Sequence, residues 1–344
     1  MIQQIFGNRV RENRLQKGLS QDELAFATGI DRPQISKIEQ GKSNPTLETI
    51  EKLANALEID YHELFTKDLE LHPFVKWAGG KTQLLDKLHS HMPAKFNNYF
   101  EPFVGGGSFF FNVSPSKATI NDFNSELMIA YKCIQDNENF KRLKNELLEY
   151  EKNHSESFYY QIRELDREPN FLDLPVYERA ARMIYLNKSC FNGLYRVNSK
   201  GYFNVPSGKK LKVKTFDEEN IDALHDFLCN NDITILNTDY EKAVETAKKG
   251  DFVYFDPPYD SFDGKESFTA YSKDNFDRNE QKRLANLYKK LNSKGVYLML
   301  SNHNTSFIRK LYKDFNIYVV NAKRAINSDS KGRGDVEEVI ITNY

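Results

Sequence analysis

The segment GDFVYFDPPY, residues 250 to 259, constrains this sequence more than any other stretch. Its apolar and aromatic run, Phe252 to Phe255, predicts a short buried strand. Two prolines follow Asp256, and they cannot continue a β-ladder because neither has an N–H to donate. We therefore expect the strand to end at Asp256, with a carboxylate and the ring of Tyr259 at its carboxyl end, where open α/β sheets place their ligands.

The end of this predicted strand presents two hydrogen-bond acceptors beside an aromatic face. The Asp256 carboxylate only accepts, and the carbonyl of Pro257 is released from the ladder. Two acceptors next to a ring suit an exocyclic amino group on a flat ligand. The alternative is an ordinary strand-to-proline turn in which Asp256 is only a turn residue, and the segment alone leaves both interpretations open.

Length and composition indicate a multidomain globular protein. The 344 residues predict two or three domains, and 40% hydrophobic and 28% charged residues are typical of a chain that buries a core. Three separated cysteines without a C-x-x-C pattern indicate neither a disulfide framework nor a zinc site, so we expect a cytoplasmic protein. No long apolar run and no signal-like start are present, so no membrane association is expected.

Residues 1 to 66 predict an all-α helix-turn-helix module. Ser20 to Glu23 is a capping box that opens a short helix. A turn at Gly29 leads into a second helix, which runs from Asp31 to Glu39 and stops before Gly41. A third helix is capped by Thr46. The flanking helices are expected to use Ile5, Val10, Leu15, Leu47, Ile50, Leu53, Ala54 and Leu57 as their apolar positions.

The stretch from Arg14 to Ile59 resembles the Cro/phage-repressor type of helix-turn-helix domain. That resemblance implies that the second helix enters the major groove of DNA. Residues 1 to 66 hold 8 basic and 10 acidic residues, so phosphate contacts require a local basic cluster. A module for protein binding or dimerisation stays open as the alternative. The implied DNA contacts are Arg32, Gln34, Ser36 and Lys37.

In residues 74 to 123 the predicted elements follow the order of one half of a nucleoside-binding α/β sheet. Tyr99 to Gly107 predicts a strand that runs into a glycine-rich turn, and a helix follows from Ser108. Ala118 to Ile120 predicts a second strand that ends at Asp122, where an acidic residue is well placed to hold ribose hydroxyls. The upstream segment FVKWAGGK, residues 74 to 81, has paired glycines but lacks phosphate-loop spacing.

The middle of the chain, residues 124 to 231, is predicted to be mostly helical. Within it, residues 179 to 216 carry nine basic residues and no acidic residue, interleaved with aromatic side chains. This pattern is typical of contact with a nucleic-acid backbone and its bases. A solvated charged face is the alternative for Lys209 to Lys214. The bases are Arg179, Arg182, Lys188, Arg196, Lys200, Lys209, Lys210, Lys212 and Lys214, and the aromatic residues are Tyr185, Phe191, Tyr195, Tyr202 and Phe203.

The remainder of the chain supplies further sheet elements. Residues 261 to 274 read as a mobile polar loop before a helix at 280–291. The last two predicted strands are expected to form an antiparallel hairpin at the sheet edge. The predicted strands are Ile233 to Leu236, Gly295 to Leu300, Phe315 to Val320 and Val336 to Thr342.

Three ordered segments, FVKWAGGK, YFEPFVGGGSFFF with INDFN, and GDFVYFDPPY, resemble the motifs of Dam-type (D12 class, alpha group) adenine-N6 DNA methyltransferases. The resemblance runs from Phe74 to Tyr344 through FTAY at 268–271, SNHN at 301–304 and RAINS…EEVIITNY. It implies an α/β, Rossmann-like S-adenosylmethionine-dependent sheet with an inserted, mostly helical target-recognition domain. We expect a helix-turn-helix domain at 1–66, a linker at 67–73, a catalytic domain at 74–123 and 232–344, and the insert at 124–231.

The resemblance also implies the roles of individual residues. Asp256 and the Pro257 carbonyl would accept the two amino hydrogens of a flipped adenine, on which Tyr259 stacks. Asp239 would accept from the cofactor adenine, with helix N-capping as its alternative. The implied catalytic residues are Asp256, Pro257, Pro258 and Tyr259. The implied cofactor-binding residues are Trp77, Lys81, Glu101, Pro102, Phe103, Gly105, Asp122, Asp239, Tyr240 and Asp256.

The segment LNKSCFNGLYRVNSKGYFNVPSG, residues 186 to 208, is similar to the target-recognition loop of these enzymes. By that similarity Phe191 would wedge into the duplex, Asn192 and Leu194 would contact the site, and Arg196 would read a guanine edge. Lys76 would approach a second guanine, within a GATC target. Ser207 and Lys209-Lys210 depart from the aromatic and arginine residues that relatives carry there.

The sequence therefore predicts methyl transfer from S-adenosylmethionine to N6 of adenine in duplex DNA by base flipping, without a metal. We expect a monomer and leave a cognate restriction endonuclease open as a partner. The first rival is an amino methyltransferase that acts on RNA or protein, and the basic aromatic insert favours DNA. The second rival is a transcriptional repressor whose methyltransferase half is secondary.

Overall fold

The structure, a computed structural model, describes residues 2–65, 70–81, 84–261, 276–323 and 335–344. The chain divides into two compact units, Met1–Leu69 and Glu70–Tyr344, each with its own core. The predicted loop at 261–274, including FTAY, and the RAINS segment fall almost entirely outside the described residues. The domain boundaries inferred from the sequence stay a prediction.

The first unit is a bundle of short helices. The Ser20 hydroxyl accepts from Glu23 N–H, and Glu23 Oε2 accepts from Ser20 N–H at 2.6 Å, which confirms the capping box. Gly29 closes the second helix with φ of 66°, a left-handed conformation that glycine adopts without strain. The helices are α1 (Ile2–Gln16), α2 (Gln21–Thr28), α3 (Arg32–Glu39) and α4 (Leu47–Leu57), followed by a 3₁₀ turn at Tyr61–Phe65.

Two of the apolar positions predicted for this unit are exposed. Leu15 is 56% exposed, because the buried face of α1 is formed by Phe6, Gly7, Val10 and Arg14, which recur at helical spacing. Leu47 is 85% exposed at the first position of α4, and the other apolar positions predicted for that helix are buried.

The second unit contains a seven-stranded sheet in the order β3-β2-β1-β4-β5-β7-β6. The first five strands of this order are parallel, and β7 pairs antiparallel with both β5 and β6. The edge hairpin predicted from the sequence is therefore confirmed. The strands are β1 (Tyr99–Glu101), β2 (Lys117–Asn121), β3 (Asp232–Leu236), β4 (Phe252–Phe255), β5 (Tyr297–His303), β6 (Asn316–Lys323) and β7 (Asp335–Thr342).

Helices cover both faces of this sheet. In β4, Phe252 and Tyr254 join the core on one face, whereas Val253 and Phe255 join the core on the other. This alternation explains why the strand is apolar throughout, because a central strand of a doubly covered sheet buries both faces. The helices of this unit are α5 (Leu85–Ser90), α6 (Ser108–Val113), α7 (Ser125–Gln135), α8 (Asn137–Lys152), α9 (Glu156–Glu164), α10 (Val176–Ser189), α11 (Glu218–Asn230), α12 (Tyr240–Ala243), α13 (Arg278–Ser293) and α14 (Ser306–Leu311).

Within the described residues no helix is both long and apolar enough to span a bilayer. The same part of the chain contains no group of three or more His, Cys, Asp or Glu residues arranged to hold a metal ion.

Candidate active site and nucleic-acid interface

The candidate active site lies where β4 ends. All four residues of β4 are buried, and the strand stops before Asp256, as the prolines predict. The Asp256 side chain is 18% exposed, and its Oδ1 lies 3.0 Å from Lys81 Nζ. Oδ1 accepts no well-aligned hydrogen bond within the described part of the chain, so it retains capacity for a donor.

Burial sets the protonation of Asp256. The pKa of this carboxyl is raised to about 6, mainly by burial; the Lys81 ammonium opposes this rise and the Glu338 carboxylate contributes to it. The carboxyl is therefore mostly ionised at pH 7 and is lost as an ionised acceptor when the pH falls below 6.

Lys81 is a central part of this site. Its side chain is 7% exposed, and its ammonium donates to the Gly79 carbonyl at 2.8 Å. The same Nζ lies 4.5 Å from the centroid of the Tyr259 ring, a cation–π geometry. Sequence reasoning assigned Lys81 to cofactor binding, and the structure brings it directly to the carboxylate and the aromatic ring.

The segment that carries Tyr259 is held on both sides by buried amides. Gln281 Nε2 donates to the Pro258 carbonyl at 2.7 Å, and Asp260 N–H donates to Asn302 Oδ1 at 2.9 Å. Asn302 also donates to Gln281 Oε1 at 3.2 Å, which links these two supports. The Tyr259 hydroxyl donates to Glu338 Oε2 at 3.1 Å. Sequence reasoning missed Gln281, and SNHN was the only signal for Asn302.

The glycine-rich turn after β1 is organised by Asp122. Its Oδ2 accepts from Gly105 N–H at 3.0 Å, and its Oδ1 accepts from Asn124 N–H at 2.8 Å. Burial raises the pKa of Asp122, while these backbone donors lower it. A Cβ at Gly105 would lie 2.7 Å from Trp77 Cδ1, so glycine is required for the turn to pack against the indole.

Side chains around this turn complete the edge of the sheet. Glu101 is buried and accepts from the Tyr99 hydroxyl at 2.5 Å, and burial raises its pKa well above the usual range. Asn121 donates to the Pro102 carbonyl at 3.0 Å and to the Thr238 carbonyl at 3.1 Å, which ties the ends of β1, β2 and β3 together. The Phe103 ring packs against Tyr240 with centroids 5.1 Å apart.

Asp239 is engaged by protein groups. Its carboxylate accepts from Glu241 N–H at 3.0 Å at the start of α12, as expected for a helix N-cap. Arg283 donates to its two carboxylate oxygens at 2.6 and 3.0 Å and lies 4.7 Å from the Tyr240 ring centroid. The cofactor contact inferred for Asp239 stays a prediction.

Residues 186 to 208, the inferred target-recognition loop, contact the segment that contains Lys76 through the Asn187 side chain, among other contacts. The buried Asn187 amide accepts from Lys76 N–H at 2.8 Å and donates to the Lys76 carbonyl at 2.7 Å and the Gly193 carbonyl at 3.0 Å. A Cβ at Gly193 would lie 2.6 Å from Lys76 Cδ, so the turn packs on this lysine stem. Lys76 therefore lies against the loop that carries Phe191.

The exposed end of this loop carries the residues inferred to contact DNA. Phe191 is 53% exposed, and Asn192 beside it has φ of 56° and is also exposed. Leu194 is half-buried. Arg196 is exposed, and its Nε donates to Asn204 Oδ1 at 2.8 Å, which orients the guanidinium while leaving other N–H groups accessible.

The nine basic residues of 179–216 were interpreted together as contacts to the nucleic-acid backbone, but three of them pair with acidic residues of the chain. Arg179 pairs with Glu126, and Arg182 is buried in an ion pair with Asp166 at 2.8 Å. Lys214 pairs with Asp217 at 2.9 Å. Each acidic partner lies outside 179–216, so the local sequence does not show these pairings. Tyr185 and Phe203 are likewise core residues. The bases without an ion-pair partner among the described residues are Lys188, Arg196, Lys200, Lys209, Lys210 and Lys212.

The inferred recognition helix α3 of the first unit presents polar side chains. Arg32 is exposed and lies 3.3 Å from Asp22, Gln34 donates to Ser43 Oγ at 2.8 Å, and Lys37 is exposed.

Comparison with known proteins relates both units to characterised families. The family model of the D12 class N6 adenine-specific DNA methyltransferases matches residues 77–326, and a helix-turn-helix family model matches residues 10–64. The chain is 45% identical over 276 residues to "Type II methyltransferase M1.LlaDCHI" of Lactococcus lactis subsp. cremoris, covering 80% of this chain and 96% of the relative. It is 41% identical over 292 residues to "Type II methyltransferase M.MjaIII" of Methanocaldococcus jannaschii, covering 80% and 100%. It is 34% identical over 275 residues to the "DNA adenine methylase" of Escherichia coli (strain K12), covering 78% and 93%.

Proposed function

Because the chain belongs to the D12 class of N6 adenine-specific DNA methyltransferases, we propose that it methylates a flipped-out adenine within GATC, using S-adenosylmethionine. The observation that carries this proposal is the Asp256 carboxylate, which is held beside Lys81 and the Tyr259 ring where β4 ends. Its acceptor capacity matches the amino group of the adenine that this family modifies.

The residues around the glycine turn fit a nucleoside cofactor. Asp122 ends β2 beside the turn and retains acceptor capacity for ribose hydroxyls after its two backbone contacts. Phe103, between β1 and the glycine turn, supplies a partly buried ring that packs against Tyr240. When bound, S-adenosylmethionine supplies an electrophilic methyl group on a sulfonium centre.

The chain's own groups then act on the adenine. The amino group lies inside the base stack, so the base must be extruded at a cost of roughly a few kcal/mol. Asp256 and the Pro257 carbonyl accept the two amino hydrogens, which directs electron density on N6 outward and stabilises the positive charge that develops there. Tyr259 supplies the stacking surface and is held by Glu338.

Target recognition is proposed to come from the loop around Phe191 and from Lys76. Phe191 is an exposed ring on a turn whose position is fixed by Asn187, which suits a wedge that fills the gap left by the extruded base. Arg196 has free N–H groups for the O6 and N7 acceptors of a guanine.

The helix-turn-helix unit is proposed to bind a separate DNA sequence through Arg32, Gln34 and Lys37 on α3, for regulation. A repressor whose catalytic half is secondary is the second candidate, because a DNA-binding type of module precedes a complete catalytic sheet.

Expression in a host without adenine methylation tests the catalytic proposal directly. We expect N6-methyladenine at GATC sites in DNA from cells that make the wild-type chain, and none with Asp256→Asn. Methylation only at other sequences would reject the target, and modified RNA or protein with unmodified DNA would support the first rival.

A further inference from the structure

Asp260, the residue after Tyr259, buries a carboxylate that has no part in the chemistry described above. Its side chain is 4% exposed; Oδ1 accepts from Arg278 Nε at 3.0 Å, and Oδ2 accepts from Arg278 Nη2 at 3.2 Å. Oδ2 also accepts from the Thr305 hydroxyl at 2.7 Å. Arg278 is the first residue of α13 and Thr305 caps α14, so this carboxylate joins the segment after β4 to the starts of two helices.

The main chain of Asp260 is held as firmly as its side chain. Its N–H donates to Asn302 Oδ1, and its carbonyl accepts from His303 Nδ1 at 2.6 Å. Because a carbonyl can only accept, His303 carries a proton on Nδ1, and this bond orients the imidazole. Both backbone groups of Asp260 are therefore bound by the last two residues of β5.

His303 connects these constraints to the Tyr259 ring. The two ring centroids lie 4.9 Å apart, with the ring planes at 78°. The residue opposite His303 on β7 is Glu338, whose Oε2 accepts from the Tyr259 hydroxyl. A cross-strand pair thus contacts one aromatic ring at two places, and Asp260 is bonded directly to one member of that pair.

Stability alone explains this arrangement poorly. The Arg278 side chain is 47% exposed, so solvent screens much of its attraction for Asp260, whereas burial of a carboxylate carries a desolvation penalty. Apolar side chains of similar volume often stabilise a protein as well as a buried ion pair does. Directional bonds instead fix a position, and misplacement of a reacting group by about 1 Å can lower a rate about a hundredfold.

We propose that Asp260 is a positioning residue for methyl transfer, whose carboxylate, held by Arg278 and Thr305, fixes Tyr259 where the extruded adenine stacks. The assignment rests on the proposed function, in which Tyr259 supplies the stacking surface. In this role Asp260 acts through its neighbour Tyr259 and through His303, not by contact with the adenine. Removal of its charge should therefore slow the chemical step and leave the binding of DNA and cofactor unchanged.

The first measurement separates rate from binding. We expect Asp260→Asn, which keeps the shape of the side chain, to lower the single-turnover rate on a GATC duplex by about tenfold to a hundredfold, with unchanged Kd values for the duplex and for S-adenosylmethionine. Arg278→Met should show the same pattern, and Arg278→Lys should restore part of the rate because it keeps the charge. Asp232→Asn removes an exposed ion pair with Lys117 on the edge strand β3, so it is the matched control and should keep the wild-type rate.

The second measurement shows whether Asp260 acts through Tyr259. Tyr259→Ala removes the ring, so Asp260→Asn should cause no further loss of rate in that background, whereas residues that act independently lose rate multiplicatively. A purely structural role would lower the melting temperature of Asp260→Asn and leave the rate per folded molecule unchanged. A multiplicative loss in the double variant, or a wild-type rate in Asp260→Asn, would overturn the positioning role.

The third measurement observes the stack itself. 2-Aminopurine in place of the target adenine becomes fluorescent when it leaves the duplex and is quenched when it stacks on an aromatic ring. With saturating enzyme we expect brighter emission for Asp260→Asn than for the wild type, and equal emission would overturn the proposal. Methylation of an unmodified GATC duplex by the same wild-type sample separates this result from failure of the proposed function, which would appear as no N6-methyladenine.

Discussion

Lys81 Nζ lies 3.0 Å from Asp256 Oδ1, in an ion pair that joins the glycine segment before β1 to the end of β4. Both side chains are largely buried, so the contact is protected from solvent screening. The ammonium also faces the Tyr259 ring at 4.5 Å. One lysine therefore contacts the acceptor carboxylate and covers the ring on which we propose that the adenine stacks.

Replacement of Asp256 is expected to abolish methyl transfer while the protein stays folded. Asp256→Asn keeps the shape of the side chain but removes its charge, and β4 is buried by its own apolar side chains. Single-turnover rates on a GATC duplex measure the effect, with circular dichroism as the control for folding. A loss smaller than about tenfold, ~1.4 kcal/mol in the barrier, would contradict the catalytic assignment.

The pH dependence of kcat/KM should have an acidic limb that depends on Lys81. Because the pKa of Asp256 is raised to about 6, activity should fall as the pH drops through 6 and the carboxylate is protonated. Lys81→Met removes the charge that lowers this pKa, so the limb should move to higher pH, whereas Lys81→Arg should keep it close to the wild-type position. Identical limbs in wild type and Lys81→Met would show that another group controls the profile.

Arg196 is expected to determine discrimination at one guanine of GATC. Its Nε is held by Asn204, so Arg196→Ala removes an oriented donor group. Comparison of kcat/KM for GATC with sites altered at each position should show discrimination reduced by about 1 to 3 kcal/mol at one guanine. Lys200→Ala, an exposed base in the same region, provides the comparison and should leave the preferences unchanged. A uniform loss at all sequences would indicate a backbone contact instead.

The first unit is expected to be separable from catalysis. A chain that starts near Leu69 should methylate GATC, because the described groups around Asp256 belong to the second unit. In the full chain, Lys37→Ala should weaken binding to the DNA upstream of the protein's own coding sequence in a gel shift, without changing methylation. Loss of activity in a folded truncated chain would assign the first unit to target recognition, and a full chain that shifts no upstream DNA would favour a protein-binding module.

A buried ion pair is expected to hold the helix-turn-helix unit together. Arg14 Nε donates to Glu39 Oε1 at 2.6 Å, and Gln21 donates to Glu39 Oε2 at 2.8 Å, which links α1, α2 and α3. Glu39→Ala leaves the Arg14 charge buried and should cost about 3 to 5 kcal/mol in the unfolding of this unit. Calorimetry of the full chain measures it, and Glu48→Ala, which removes the exposed pair with Lys52, should change stability far less, because water and salt screen an exposed pair. Equal effects of the two substitutions would contradict a special role for Glu39.

Local chemistry explains what was predictable from the sequence. Pro257 and Pro258 end β4 before Asp256 because they have no N–H group to donate, whatever the surrounding fold. The Ser20–Glu23 capping box specifies a helix start through contacts between residues three apart. The order of strands, glycine turn and helix predicted one half of an α/β sheet, and the last two apolar strands predicted the edge hairpin. The resemblance of the sequence motifs predicted the family, and the comparisons with known proteins confirm that prediction.

Long-range packing determined which charged side chains are paired and which helix faces are buried. Arg179 and Arg182 read as DNA-contacting bases in a segment without acids, but Glu126 and Asp166 neutralise them from other helices. Leu15 is exposed because α1 packs against α3 through the face that carries Phe6, Val10 and Arg14. The contact of Lys81 with Asp256 likewise joins residues far apart in the chain. Which charges are paired and which acceptors stay available depends on the partners that folding brings within a few ångströms, and spacing along one segment does not contain that information.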